Sequence, residues 1–137
     1  MNIESIRNEL RYSSKSEKES VIIYIGDLFE SYVTIDDFPE LIKLLINYAI
    51  DEDDEELKLQ FLDVISKASE HRNVNEINFD MIEDNLDFLS IECLERAIDI
   101  LSFSHNSKYL ETIKKYILHD NKKIAYVASI ALEEIQG

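Results

Sequence analysis

Apolar residues return every three or four positions along almost the whole chain, the spacing that lines one side of an α-helix. The rhythm predicts helices over Ile3 to Tyr12, Glu17 to Tyr32, Phe38 to Ile50, Asp53 to Ser69, Asn78 to Phe88, Ile91 to Ser102, Lys108 to Leu118 and Lys122 to Ile135. Local chemistry supports several of the starts. Asp37 precedes Phe38, Pro39 and Glu40, which puts proline in a first turn, where its missing N–H costs nothing. Ser90, Ser107 and Asn121 stand in comparable capping places, and Asp53 to Glu56 put carboxylates at the positive end of the fourth helix dipole. The connectors are short, the segment around His71 to Ile77 being the longest, so consecutive helices are expected to lie antiparallel.

The more apolar helices align with one another. Offsets of 0, +4, +7 and +8 give Val21, Ile25, Leu28 and Phe29; then Leu57, Phe61, Val64 and Ile65; then Cys93, Ala97, Ile100 and Leu101; then Ile124, Ala128, Ala131 and Leu132. The starts lie 36, 36 and 31 residues apart, an interval that holds one helical pair. A pair cannot bury its own apolar face and must stack on the next.

The last unit, SKYLETIKKYILHDNKKIAYVASIALEEI, resembles a HEAT repeat. Its first helix offers Leu110, Ile113, Tyr116, Ile117 and Leu118, the turn holds Asp120, and Ile124, Ala128, Ala131 and Leu132 match that family's small and aliphatic seam. ELIKLLINYAIDEDDEELKLQFLDVISKA is similar, with Leu41, Leu44 and Leu45 before an acidic turn and Leu57, Phe61 and Ile65 after it. It departs from the pattern where Phe61 stands in place of the usual alanine and where no arginine follows Leu57 or Ile124. The resemblance implies an all-α fold of antiparallel pairs stacked as a short α-solenoid over residues 38–135, with residues 1–35 as capping helices of the same single domain. It also implies a binding scaffold, a surface and not a reaction.

Composition agrees with helices. The 137 residues include one proline and two glycines, too few turn formers for a many-stranded fold. Charge changes the picture more. The formal net charge is −15, and between Asp27 and Asp99 there are 21 acidic residues against five basic ones, so the excess sits in the middle of the chain. Such a field opposes nucleic acid or an anionic membrane and attracts a basic surface. The charged N-terminal residues lack a leader's apolar core and no apolar run is long enough to cross a bilayer, so a cytoplasmic protein is expected.

Little in the chain suggests catalysis. Cys93 is alone and reads as a small buried hydrophobe; His71, His105 and His119 fall near helix ends, where capping or solvated roles suffice. There is no GxSxG, glycine-rich phosphate loop, CxxC or HExxH. A calcium loop beginning at Asp51 would need glycine and a bidentate carboxylate where Glu56 and Leu62 stand. Carboxylate pairs such as Glu83 with Asp87 arise without purpose among 29 acids. Neither a metal nor a cofactor is expected, and the chain reads as a non-enzyme.

What stands out is acidic density. Asp51, Glu52, Asp53, Asp54, Glu55 and Glu56 follow without a break, and a second stretch about one unit later holds Glu76, Asp80, Glu83, Asp84 and Asp87, then Glu92, Glu95 and Asp99. In a helical stack the two would share an edge and make one docking surface, with Tyr48, just before the first run, as its aromatic anchor. In size, charge and helical-repeat character the chain resembles bacterial immunity proteins that neutralise contact-delivered or secreted toxins. That resemblance implies a basic partner, a nuclease toxin above all, whose cleft an acidic protein covers by imitating phosphate. The competing expectation is a HEAT-like adaptor or regulatory subunit that binds a basic protein without inhibiting it. Self-association is left open by the sequence.

Overall fold

The computed structural model describes residues 2–136. Among them are eight α-helices, two short 3-10 turns and no strand: α1 (Ile3–Tyr12), α2 (Lys15–Glu30), α3 (Phe38–Asp51), α4 (Glu55–His71), α5 (Asp80–Asp84), α6 (Ile91–Phe103), α7 (Leu110–Tyr116) and α8 (Lys122–Gln136). No helix among these residues is long and apolar enough to cross a membrane.

The helices form two rows. α4 packs on α2 and α6, and α6 packs on α8, while α3 lies on α4 and α7 on α8. Neighbours in the α2, α4, α6, α8 row run in the same direction, because their contacts advance together along both chains. Between α6 and α8, Lys123 Nζ reaches Glu95, Ser102 Oγ donates to the Ala131 carbonyl, and His105 meets Glu134. Consecutive helices run oppositely: Tyr48 stacks on Phe61 while Lys58, one turn earlier in α4, reaches Ile50. Most of the residues aligned by the sequence pattern belong to the hydrophobic core, Leu28 and Ala128 lying outside it. All the aligned residues are buried except Leu28 and Leu132, which are half-buried.

The ends of the helices differ from the sequence expectation for identifiable reasons. α2 begins earlier than Glu17 because Ser14 and Glu17 make a reciprocal capping box. α4 begins at Glu55 because Asp54, not Asp53 or an earlier residue, accepts from Leu57 N. Asp37 does occupy the N-cap of α3, but in a left-handed conformation (φ 57°) with no side-chain cap bond. Ahead of α7 the capping residue is Asn106 and not Ser107, which lies inside the 3-10 turn.

The largest difference is the expected helix from Asn78 to Phe88. It forms only five α-helical residues followed by a 3-10 turn, Leu86–Phe88. Asn85 folds its side chain back to the Met81 carbonyl (2.7 Å), and the next bonds tighten to i→i+3, Phe88 N to Asn85 O and Leu89 N to Leu86 O. The expected helix from Lys108 to Leu118 likewise opens with a 3-10 turn, Ser107–Tyr109, and closes in a tightened turn after Tyr116.

Arg72, in the connector after α4, is a structural residue the sequence did not mark. Its guanidinium donates to the carbonyls of Leu28 (2.7 Å), Phe29 (3.1 Å) and Ser31 (2.8 Å). The Leu28 carbonyl also accepts from the backbone N–H (3.1 Å) and hydroxyl (2.7 Å) of Ser31, so Arg72 joins the bonds that close the C-terminus of α2, where a cation is favoured by the dipole.

Candidate functional site

The run from Asp51 to Glu56 closes α3 and opens α4. Asp54 Oδ1 accepts from Leu57 N at 3.0 Å, and its other oxygen lies 3.2 Å from Lys15 Nζ, which also reaches Glu56 at 3.7 Å. The Leu57 N–H and then the Lys15 ammonium hold the Asp54 carboxyl below its ordinary range, and Asp54 in turn raises Lys15. Glu52 accepts from Asp54 N at 3.0 Å, while Lys58 Nζ donates to the carbonyls of Ile50 (3.1 Å) and Glu52 (3.4 Å) and so caps the end of α3. Glu55 lies 3.6 Å from the Cys93 thiol, which burial pushes above its usual pKa. Asp51 and Asp53 are exposed. Tyr48 is half-buried and stacks on Phe61 with ring centroids 5.9 Å apart, so its ring packs on the core beneath the run.

The second stretch divides. Asp80 pairs with Lys108 Nζ at 2.8 Å and accepts from the Tyr109 hydroxyl at 3.0 Å, and these two, Lys108 foremost, lower its pKa. The same hydroxyl accepts from Phe79 N at 2.8 Å, so the fully buried Tyr109 ties both chain segments together. Thr112 Oγ1 donates to Glu83 at 2.6 Å, and the Tyr116 hydroxyl donates to Asp87. Burial and then the neighbouring aspartate raise the pKa of both phenols. Asp80 thus holds the 3-10 turn that leads into α7, while Glu83 and Asp87 reach Thr112 and Tyr116 of α7 itself. Glu76 and Asp84 are exposed, and no cation among the described residues lies within ion-pair distance of either.

Between α3 and α5 lies a groove of about 680 Å³ that brings these free acids to an apolar surface. One wall is the stripe Pro39, Lys43, Ile46 and Asn47 of α3; the other is Glu76, Ile77, Asn78, Asp80, Met81, Asp84 and Asn85. Ile46 is buried, Ile77 half-buried, and Met81 stays 44% exposed although apolar. Asp51 sits on the same side of α3 as Asn47, one turn further along. Of the residues singled out from the sequence, the groove therefore gathers Glu76, Asp80 and Asp84 and has Asp51 beyond its end. Glu52, Asp54 and Glu56 are engaged at the α3–α4 turn, Glu55 lies against Cys93 of α6, and Glu83 and Asp87 are engaged on α7. The apolar lining was missed, because Ile77 lies in the connector ahead of α5 and shares no helical period with Met81.

No group of three or more His, Cys, Asp or Glu among the described residues is placed to hold a metal ion. His71 ends α4, His105 follows α6 in a left-handed conformation (φ 53°), and His119 accepts from Asn121 N at 3.0 Å. No family model, curated protein or solved structure matches the chain.

Proposed function

We propose that this chain is a non-catalytic binding protein, a short HEAT-like stack capped by α1 and α2, that engages a basic protein across the α3/α5 groove. The partner class that fits best is a basic toxin, a nuclease above all, neutralised in the manner of bacterial immunity proteins. The observation that carries the reading is the groove itself: an apolar floor of Ile46, Ile77 and Met81 beside the carboxylates of Glu76 and Asp84, which have no cation of their own. An apolar floor supplies the area that anchors a partner, and free carboxylates select and steer a cationic one. The central charge excess supports the same polarity and disfavours nucleic acid as the ligand.

The reading is tested by capturing the partner from the source cells on the immobilised chain at about 50 mM salt, eluting near 500 mM, and assaying it with and without the chain. A basic partner whose nuclease or other toxic activity disappears on one-to-one binding supports the inhibitor. A partner bound through this groove with its activity undiminished assigns the adaptor role instead.

A further inference from the structure

The chemistry of the groove also bears on the shape of what enters it. Three asparagines line it, one on the α3 wall and two on the opposite side. Asn78 uses its side-chain carbonyl to accept from Asp80 N, which leaves its amide N–H groups to donate; Asn85 donates to the Met81 carbonyl, which leaves its own carbonyl to accept. Asn47 makes no hydrogen bond through its side chain among the described residues and offers both. Lys43, exposed on the same wall, adds a donor.

Amides of both senses on two sides of an apolar floor match a main chain, which presents one N–H and one C=O per residue. A helix satisfies those groups internally and would meet the asparagines only through its side chains. An extended segment needs such partners. The wall from Pro39 to Asn47 spans about 12 Å at 1.5 Å per residue, room for about four residues at ~3.3 Å each. In that conformation alternate side chains point into the floor and away from it, so apolar residues would meet Ile46, Ile77 and Met81 while long basic neighbours bend over the rim to Glu76 and Asp84.

We infer that the occupant of the α3/α5 groove is an extended segment of the basic partner, with apolar and basic residues in alternation, held through its main chain by Asn47, Asn78 and Asn85. The inference rests on the binding role proposed above and adds the conformation of the ligand.

The test is fluorescence polarisation with the whole chain at about 50 mM salt. Three labelled probes are used: a peptide of about seven alternating arginines and leucines, its copy with the leucine amide nitrogens methylated, and a helical peptide carrying the same residues at i, i+3 and i+4. The expected result is that the plain extended peptide binds, methylation weakens it about tenfold, and Asn47→Ala weakens the plain peptide similarly while leaving the methylated one little changed. Equal binding of methylated and plain peptides, or tighter binding of the helical probe, overturns the extended occupant while dependence on Glu76 and Asp84 keeps the binding role. Binding that survives the Glu76→Lys, Asp84→Lys double variant removes the groove from both proposals. A sedimentation experiment completes the set: dimerisation abolished by Met81→Glu would make a second copy of this chain the occupant and would also overturn the inference.

Discussion

The run from Asp51 to Glu56 and the stretch from Glu76 to Asp87 carry similar acidity, yet the fold uses them differently. In the first, carboxylates bond backbone N–H groups at the start of α4 and one lysine, Lys15, is drawn across from α2. In the second, three acids on one side hold α7 and the 3-10 turn ahead of it, and two on the other stand free beside an apolar groove. Density of charge along the sequence is therefore a poor guide to a docking surface. Each region keeps two acids free, Asp51 and Asp53 in the first and Glu76 and Asp84 in the second, and what separates them is the apolar groove beside the second pair.

The largest effect expected in the first region comes from beneath it. Phe61 is fully buried against Tyr48, and Phe61→Ala should cost about 3–5 kcal/mol in urea unfolding, since it removes a large side chain where the surrounding helices cannot collapse. In the second region Tyr109→Phe leaves Phe79 N–H buried without an acceptor; a loss of about 1–3 kcal/mol is expected, and an unchanged midpoint would show that the tyrosine does not tie α5 to α7.

Asp99 follows the rules of neither region. Burial pushes its carboxyl up to about 6, with Arg96 opposing and Glu95 and Glu70 adding to the rise. Between the ordinary value of 3.8 and about 6 the folded state binds more protons than the unfolded one, so this group makes stability fall as pH rises through that window, with its full penalty above it. Asp99→Asn should flatten the fall and stabilise the protein at pH 8 by about 1 kcal/mol, the water that still reaches the site having reduced the figure. Denaturation curves at pH 4.5 and 8 would show it, and the same difference in both proteins would contradict it. The smallest effect separates two adjacent acids: Asp54→Ala should lower the unfolding midpoint through loss of the α4 cap, whereas Asp53→Ala should leave it in place.

Much of the helical layout was legible because period and capping are local. The apolar positions aligned between Val21 and Leu132 are buried except for the half-buried Leu28 and Leu132, and Ser90 and Asn121 cap as their positions suggest. Neither end of α5 was legible: its early end depends on the Asn85 side chain choosing the Met81 carbonyl, and its start on Tyr109, about one unit away, bonding Phe79 N. Arg72 escaped for the same reason: its three carbonyl partners lie more than 40 residues earlier. The groove was half-legible. Asp80 and Asp84 stood out by charge, but only the packing of α5 on α3 brings Ile46 and Asn47 opposite them.

The difference between the two acidic regions can be measured directly by immobilising three forms of the chain side by side, each verified as folded by circular dichroism, and passing the same extract of source cells over them at about 50 mM salt. The forms are the unaltered chain, Glu76→Lys with Asp84→Lys, and Asp51→Lys with Asp53→Lys. A basic partner held by the first and third and lost by the second is the expected result; retention on the second with loss on the third would place docking at the α3–α4 turn and contradict the assignment of the groove.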